Sequence, residues 1–397
     1  MRRPIVAGWL ATTFTMIANI ALAELPYRTP IQTIVPEMEE VSTEGGGRPG
    51  LGRLVAVRDG VALISMTSVI PNEVAVFRYI NGAWERDGKL PCPGNMCNQV
   101  HRFVYRDNTA IVSAEDDDNH ILVFKQRQGK WHLASTISNP DPADYFGSSL
   151  AYQDGILAVS AYTNSEGVGS LHVYNLSSSG KVQSRVTLRP QRSGQGNYFG
   201  QNVAMARDTI VASARGNGLV YVFRRIGGQW VEAQELYGMS QWPEGFGSAV
   251  ALNKGVLIVG AIESERIGRA EVTGYQAGGM AYMFREQNGQ FVFQQRFRPS
   301  FEESYSYTDF SRHIAMFGDR VVIGAIDAPV IGAGEGLAVE YRITPNGLQP
   351  VSQMRTPGAG GFALYHNTLI MGSHYDEALM SVGSASVFNI YLPVRAQ

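Results

Sequence analysis

The sequence predicts an all-β chain built from seven copies of one four-stranded unit, because a single pattern recurs along it. In each copy a two-residue turn is followed by a short apolar run that ends in small residues, as in Asp154-Gly155 followed by ILAVSA. The seven turns begin at Asp59, Asp107, Asp154, Arg207, Lys254, Gly318 and His366. The spacings of 48, 47, 53, 47, 64 and 48 residues match the length of a propeller blade.

Each unit contains strand-like segments in the same order. A first strand such as FGSSLAY precedes the turn, and the apolar run after the turn is the second strand. An alternating third strand such as VYVFRR leads through a Gly-containing turn into a fourth strand, which often opens with an aromatic residue, as at Trp84 and Trp131. Four strands joined by hairpins form one blade. An open β-solenoid or a pair of β-sandwiches is the alternative to a closed ring.

A count of strands favours the closed ring. The seventh unit ends after SASVFNIYL without a fourth strand, whereas residues 31–35 form a spare strand-like segment before the first unit. We predict that residues 31–35 pair as the outermost strand of the last blade, because this pairing removes two exposed strand edges. The predicted organisation is an N-terminal segment over residues 24–47 and a seven-bladed β-propeller over residues 48–397, closed by that N-terminal strand.

The N-terminus resembles a secretory signal peptide. Arg2 and Arg3 form a positive region, residues 5–20 are mostly apolar, and Ala21-Leu22-Ala23 is a small-x-small cleavage site. A membrane anchor is the alternative, but the threonines within the apolar stretch make it a poor span. We expect cleavage of residues 1–23 near Ala23, no transmembrane segment in the mature chain, and a secreted or periplasmic location.

The net charge argues against nucleic-acid binding, and the cysteine content predicts a disulfide. The formal net charge is −2 for the whole chain and −4 once Arg2 and Arg3 are removed, so no basic excess supports nucleic-acid binding. The two cysteines, Cys92 and Cys97, lie in the segment PCPGNMC. In an oxidising compartment such a pair favours a disulfide that closes one surface loop. A metal-binding pair is the alternative, but the sequence has no second cysteine pair or His-rich segment.

Phe-Gly pairs at 146–147, 199–200 and 246–247, together with Gly-Ala at 260–261 and 324–325, make residues 48–394 resemble the FG-GAP repeat. This repeat is found in integrin-α-type propellers and in many bacterial surface proteins, so the resemblance implies a propeller. Its calcium-binding versions carry a D-x-D-x-D-G loop between the first and second strands. Here that connection is a two-residue turn, too short to supply six to eight oxygen ligands. We therefore expect no metal and no cofactor.

Loop lengths predict which face of the ring carries function. The strand 1–2 and strand 3–4 turns are short and predict a plain face, here called the turn face. The strand 2–3 loops and the blade-to-blade linkers open on the opposite side, here called the loop face. The insertions fall on the loop face, over residues 139–145, 189–198, 263–279, 327–336 and 374–383. Function on repeat folds usually lies on the face that receives the insertions.

Candidate ligand-binding residues on the loop face are aromatic or charged. The four aromatic candidates, which could stack on a sugar or bind a partner protein, are Tyr145, Tyr198, Trp242 and Tyr307. The alternative for the first three is that they pack between neighbouring blades. The charged candidates are His374 and the acidic cluster of Asp116, Asp117 and Asp118. That cluster is either a cation site or a solvated hairpin tip.

The sequence lacks the common catalytic motifs, including G-x-S-x-G, H-E-x-x-H and the P-loop. The favoured function is therefore an exported, non-enzymatic binding module that engages a protein or a glycan through its loop face. The alternative is a propeller enzyme, a hydrolase or lyase acting on a polysaccharide or a small ester, with its site at the mouth of the central channel.

Overall fold

The fold is taken from a computed structural model of the chain. It describes residues 25–35, 50–67, 73–94, 96–97, 99–114, 119–140, 145–162, 167–192, 194–238, 245–265, 276–297, 307–308, 310–325, 336–356, 360–373 and 383–390. Residues 1–24, which contain the predicted signal peptide, lie outside these ranges.

Almost all regular structure in the described residues is β-strand. Two short strands come first, β1 (Tyr27–Arg28) and β2 (Gln32–Ile34). Blade 1 contains β3 (Gly50–Arg58), β4 (Val61–Thr67), β5 (Glu73–Ile80) and β6 (Ala83–Lys89). Blade 2 contains β7 (Val100–Arg106), β8 (Thr109–Ala114), β9 (His120–Arg127) and β10 (Lys130–Ile137). Blade 3 contains β11 (Phe146–Gln153), β12 (Ile156–Ala161), β13 (Ser170–Leu176) and β14 (Val182–Leu188).

The second half of the chain repeats this arrangement. Blade 4 contains β15 (Phe199–Ala206), β16 (Thr209–Ala214), β17 (Leu219–Ile226) and β18 (Gln229–Tyr237). Blade 5 contains β19 (Phe246–Asn253), β20 (Val256–Glu265), β21 (Gln276–Gln287) and β22 (Gln290–Phe297), with a short extra strand β23 (Tyr307–Thr308). Blade 6 contains β24 (His313–Phe317), β25 (Arg320–Ala325), β26 (Gly336–Thr344) and β27 (Gly347–Thr356), and blade 7 contains β28 (Phe362–Tyr365), β29 (Thr368–Ser373) and β30 (Ser384–Asn389).

The seven sheets form a closed ring. Within each blade the strands pair antiparallel in chain order. The first strand of each blade contacts the first strand of the next, and β28 of blade 7 contacts β3 of blade 1. Seven hydrophobic clusters fill the spaces between neighbouring blades. The seven-bladed β-propeller predicted from the sequence is confirmed, and the first strands line its centre.

The Phe-Gly pairs lock adjacent blades together. Phe146 is 1% exposed and packs in the cluster between blades 2 and 3. Gly147 has a φ of +88°, and a Cβ there would lie 2.2 Å from Ser113 Oγ, at the small-residue end of the second strand in blade 2. A Cβ at Gly247 would likewise lie 2.7 Å from Ser213 Cβ of blade 4, and one at Gly200 would lie 3.3 Å from Ser160 Cβ of blade 3. The small residues that close each apolar run therefore make room for the backbone of the next blade.

The closing serine of the second strand also supports a bulge in its own blade. Ser160 Oγ accepts a hydrogen bond of 2.8 Å from the backbone N–H of Ser149, where the register between β11 and β12 shifts. Ser213 does the same for Asn202 in blade 4 at 3.0 Å. A bulge leaves one backbone group without a ladder partner, and the serine hydroxyl satisfies it.

The N-terminal arm, residues 25–35, lies along the outer edges of the last two blades. In blade 7, β2 occupies the outermost position and pairs antiparallel with β30, with Thr33 opposite Ser386. The strand predicted over residues 31–35 is thus Gln32–Ile34 in the structure. In blade 6, β1 adds a fifth strand parallel to β27. β1 was not predicted from the sequence, because a strand of two residues is too short to show a periodic pattern.

A buried ionic cluster anchors this arm. Glu340 is 1% exposed and accepts hydrogen bonds from Arg28 Nε at 2.9 Å, from Ser352 Oγ at 2.6 Å and from Arg320 Nη1. Arg320 Nη1 also donates to the carbonyl of Ile390 in blade 7 at 2.7 Å. The carboxylate therefore joins the N-terminal arm to blade 6, and its arginine partner reaches blade 7. Such a cluster holds the three segments in fixed relative positions. Removing one partner lowers the stability of the fold, because a buried charge is then left uncompensated.

One further feature differs from what the sequence predicts. The insertion predicted over residues 263–279 is partly a continuation of the β20–β21 hairpin, where Glu263 pairs with Gly278 and Glu265 with Gln276. A single 3-10 turn, Arg215–Asn217, is the helical element in the part of the chain that the structure describes. Within those same ranges, no helix is long and apolar enough to cross a membrane.

Candidate functional site

Three tyrosines form an exposed patch on the loop face. Tyr145 is 58% exposed and Tyr198 is 41% exposed, so the interpretation that they pack between blades is wrong for both. They flank Tyr162, whose ring centroid lies 5.8 Å from that of Tyr145 and 6.5 Å from that of Tyr198. Tyr145 and Tyr198 were predicted from the sequence, but Tyr162 was not, because it belongs to a strand 2–3 loop and not to a blade-to-blade linker.

The backbone around Tyr198 is held by the neighbouring loop. Tyr198 has a φ of +53°, and its N–H donates to the carbonyl of Gly167 at 2.8 Å. Gly169 forms a parallel bridge with Phe199. A Cβ at Gly169 would lie 2.1 Å from the Phe199 carbonyl oxygen, so this approach requires glycine. The loop of blade 3 is thereby fixed against the first strand of blade 4, which keeps the tyrosines together.

Burial raises the pKa of Tyr162, and the hydroxyls of Tyr145 and Tyr198 add to the rise. The hydroxyl therefore stays protonated at neutral pH and can donate a hydrogen bond. The patch is uncharged and amphipathic, which suits stacking on apolar ring faces combined with hydrogen bonding at the edges.

A cavity of about 440 Å³ adjoins this patch. It is lined by Tyr198, Gln201, the turn residues 215–218 and Gly245. Gln201 Oε1 and Asn217 Oδ1 are buried, and neither accepts a hydrogen bond within the described part of the chain. Buried acceptors without donors are costly. The cavity therefore has an aromatic wall, and its lining includes two amide side chains whose buried oxygens lack a donor among the described residues.

The side chains of the other predicted site residues are not among those that the structure describes. Trp242, His374 and the acidic cluster Asp116, Asp117 and Asp118 lie outside the described residues. Tyr307 is described only in its backbone, where it pairs with Ala277 of blade 5. The hypothesis that these residues bind a ligand stays a prediction.

Cys92 and Cys97 are joined by a disulfide, with their Cα atoms 5.9 Å apart. Cys97 is 3% exposed and belongs to the hydrophobic cluster between blades 1 and 2, where Cys92 packs as well. The predicted role of this bridge was to close one surface loop. The structure places it in an inter-blade core, because the linker from blade 1 to blade 2 crosses over that core.

The prediction of a plain turn face is wrong. A cavity of about 800 Å³, larger than the one on the loop face, lies among the strand 1–2 turns of blades 4 and 5. A recurring basic residue in the third strands indicates that this face is charged, although the short turns had suggested a plain face. The residue after the aromatic of the third strand is basic in five blades: Arg78, Lys125, Arg224, Arg285 and Arg342. Each lies opposite the first residue of its blade's second strand, so the five lie at one level of the ring.

Comparison with solved structures agrees with this architecture. A protein from Lactobacillus plantarum is 12% identical, with a TM-score of 0.52 over 82% of this chain and 89% of that chain. A chain of the mitotic checkpoint complex is 10% identical, with a TM-score of 0.54 over 97% of this chain and 100% of that chain. The WD40 domain of Toxoplasma gondii coronin is 8% identical, with a TM-score of 0.48 over 92% and 91% of the two chains.

No family model matches the chain, and no curated protein matches it by sequence. At these identities the two structures with TM-scores above 0.5 support the fold alone. The fold and the ring of first strands define the chain as a seven-bladed β-propeller.

Proposed function

We propose that this protein is an exported, non-enzymatic binding module that engages a glycan through its loop face. The observation that carries the proposal is the exposed patch of Tyr145, Tyr162 and Tyr198 beside a cavity with two unsatisfied acceptors. The propeller fold supports it, since propellers commonly serve as interaction scaffolds. One of the similar propellers is a chain of the mitotic checkpoint complex and so belongs to a protein complex.

The chemistry of the patch favours a glycan over a protein segment. A sugar ring has an apolar face that stacks on tyrosine and hydroxyl groups that donate to amide oxygens. The amide side chains of Gln201 and Asn217 line the cavity and can supply acceptors of that kind. The cavity of about 440 Å³ lies within the size range of small-ligand sites. A protein partner is the other class of ligand that tyrosines on a rigid scaffold accept.

Export is part of the proposal and rests on the sequence. The signal-peptide pattern of residues 1–23 and the FG-GAP-like Phe-Gly and Gly-Ala pairs both support a location outside the cytoplasm. A disulfide between Cys92 and Cys97 is compatible with an oxidising compartment. N-terminal sequencing of the protein isolated from its native compartment should begin at or near Glu24. An intact Met1 in the mature fraction would contradict export.

The binding proposal is tested by a glycan array followed by calorimetric titration with the glycan that binds best. Tyr198→Ala removes the aromatic wall of the cavity, and Tyr145→Ala removes the far end of the patch. Each should weaken binding by roughly five- to tenfold, which corresponds to about 1–1.4 kcal/mol. Tyr198→Phe should retain most of the affinity, because the stacking surface is preserved.

Tyr79→Ala is the matched control. Tyr79 is 51% exposed but lies at the end of the third strand of blade 1, on the turn face. It should leave the affinity unchanged. The proposal is wrong if no glycan on the array binds, or if Tyr79→Ala weakens binding as much as Tyr198→Ala does.

A further inference from the structure

The cavity of about 800 Å³ on the turn face has the composition of an anion-binding site. It forms where the first strands of blades 2–5 end, together with the strand 1–2 turns of blades 4 and 5. Its lining carries five cationic side chains, Arg106, Arg207, Arg224, Lys254 and Arg285, and two carboxylates. The whole chain, by contrast, has a formal net charge of −2. The basic excess is therefore local to this concavity, where low-dielectric walls strengthen the field.

The arginines of this cavity hold unused hydrogen-bond donors. Arg224 Nη1 donates to Thr209 Oγ1 at 3.0 Å and lies 3.0 Å from Glu286 Oε1, but its Nε and Nη2 are buried without a hydrogen-bond partner in the described structure. Arg285 Nη2 donates to the carbonyl of Thr344 at 2.8 Å, whereas its buried Nε makes no hydrogen bond to the described residues. The existing contacts fix each guanidinium in place and leave these buried donors without a partner among the described residues.

The remaining cations of the lining, Arg106, Arg207 and Lys254, outnumber the carboxylates beside them. Arg106 Nε is buried and lies 3.5 Å from Asp107 Oδ2, too far for a hydrogen bond. Arg207 and Lys254 are exposed turn residues, and the described part of the chain supplies no ion-pair partner to either. One carboxylate of the lining, Glu286, is already paired with Arg224. The lining of the cavity thus carries a net positive charge in the protein alone.

Packing keeps this arrangement preorganised. The guanidinium carbon of Arg224 lies 5.5 Å from the ring centroid of Phe291, which is 3% exposed and lines the same cavity. A guanidinium stacked on an aromatic ring presents its donors in a fixed plane. Planar forks of donors match the paired oxygens of phosphate, sulfate and carboxylate groups. The volume exceeds what one inorganic ion fills and suits an organic molecule.

We propose that the turn-face cavity binds a small organic oxyanion, a molecule that carries two or more phosphate, sulfate or carboxylate groups. Such a ligand would complete the hydrogen bonds of Arg224 and Arg285 and neutralise Arg207 and Lys254. This site is distinct from the loop-face patch and does not depend on the function proposed for that patch. The protein would then bind two ligands at opposite ends of the ring.

The test is calorimetric titration of the purified protein at low salt with three probes, inorganic pyrophosphate, citrate and sucrose octasulfate. The three probes distinguish phosphate, carboxylate and sulfate as the recognised group. Lys254→Gln should weaken the best probe by roughly five- to tenfold, since it removes one charge at the cavity wall without touching any internal contact. Arg224→Lys should also weaken it, because the charge stays while the planar fork is lost.

Lys130→Gln is the matched control, because it removes the same charge from an exposed lysine at the start of β10, outside the cavity. It should leave the affinity nearly unchanged. The proposal is overturned if none of the probes binds with a Kd below about 1 mM. It is equally overturned if Lys130→Gln weakens binding as much as Lys254→Gln, since the attraction would then be a property of the whole surface.

Discussion

The interlocking of adjacent blades predicts that Gly147→Ala destabilises the protein through a specific clash. A Cβ at this position would lie 2.2 Å from Ser113 Oγ and 2.8 Å from Ile121 Cδ1, both in blade 2. The φ of +88° adds strain for any residue with a side chain. The conformational part costs about 1–2 kcal/mol, and overpacking of a core adds about 1–3 kcal/mol. We expect a total loss of about 2–5 kcal/mol in the free energy of unfolding.

Gly129→Ala separates these two contributions. Gly129 has a similar φ of +80° in a turn of blade 2, but a Cβ there meets no atom within 4 Å. It should therefore cost only the conformational part, about 1–2 kcal/mol. The measurement is equilibrium unfolding in urea, followed by fluorescence, with the slope of the transition compared among variants so that changes in the unfolded state are recognised.

Ser113→Ala completes a double-mutant cycle. Ser113 Oγ is buried and makes no hydrogen bond to the described residues, so its removal should cost little by itself. In combination with Gly147→Ala it should restore about 1 kcal/mol or more, because the closest clashing atom is gone. The reasoning is refuted if Gly147→Ala and Gly129→Ala are equally destabilising, or if the double variant shows no coupling.

Three further predictions concern the closure, the disulfide and a buried tyrosine. Deleting residues 24–35 should lower the melting temperature and promote aggregation, because it exposes the edges of two blades and leaves Glu340 with fewer partners; a monomer with an unchanged melting temperature would contradict this. Cys92 and Cys97 should resist alkylation until a reductant is added, as followed by mass spectrometry. Burial raises the pKa of Tyr105 to about 12, and the charge of Asp59 adds to the rise. The stabilisation that the neutral tyrosine provides is therefore complete below pH 10. Between pH 10 and 12 the free energy of unfolding falls by roughly 1.4 kcal/mol per pH unit. Urea unfolding across that range should show this additional decline in the wild type and not in Tyr105→Phe.

The repeat could be found from the sequence because each blade reuses the same local physics. Two-residue turns with positive φ, as at Asp154-Gly155, and apolar second strands are short-range features that survive in all seven copies. The small residues at the ends of those strands were visible too. The reason for these small residues could not be found from the sequence, because the clash that they avoid involves the next blade, about fifty residues away along the chain.

The sequence alone determined the architecture of this protein: the number of blades, the strand order and the need for an outer strand from the N-terminal segment. These follow from period, alternation and a count of strands, which are properties of neighbouring residues. The tertiary structure decided where ligands can gather. It brought Tyr162 between Tyr145 and Tyr198, and it collected basic residues from several blades into one cavity on the face that short turns had suggested was plain. Ring closure makes positions that are separated by one period into neighbours, and only the closed ring shows which of their donors and acceptors remain unpaired.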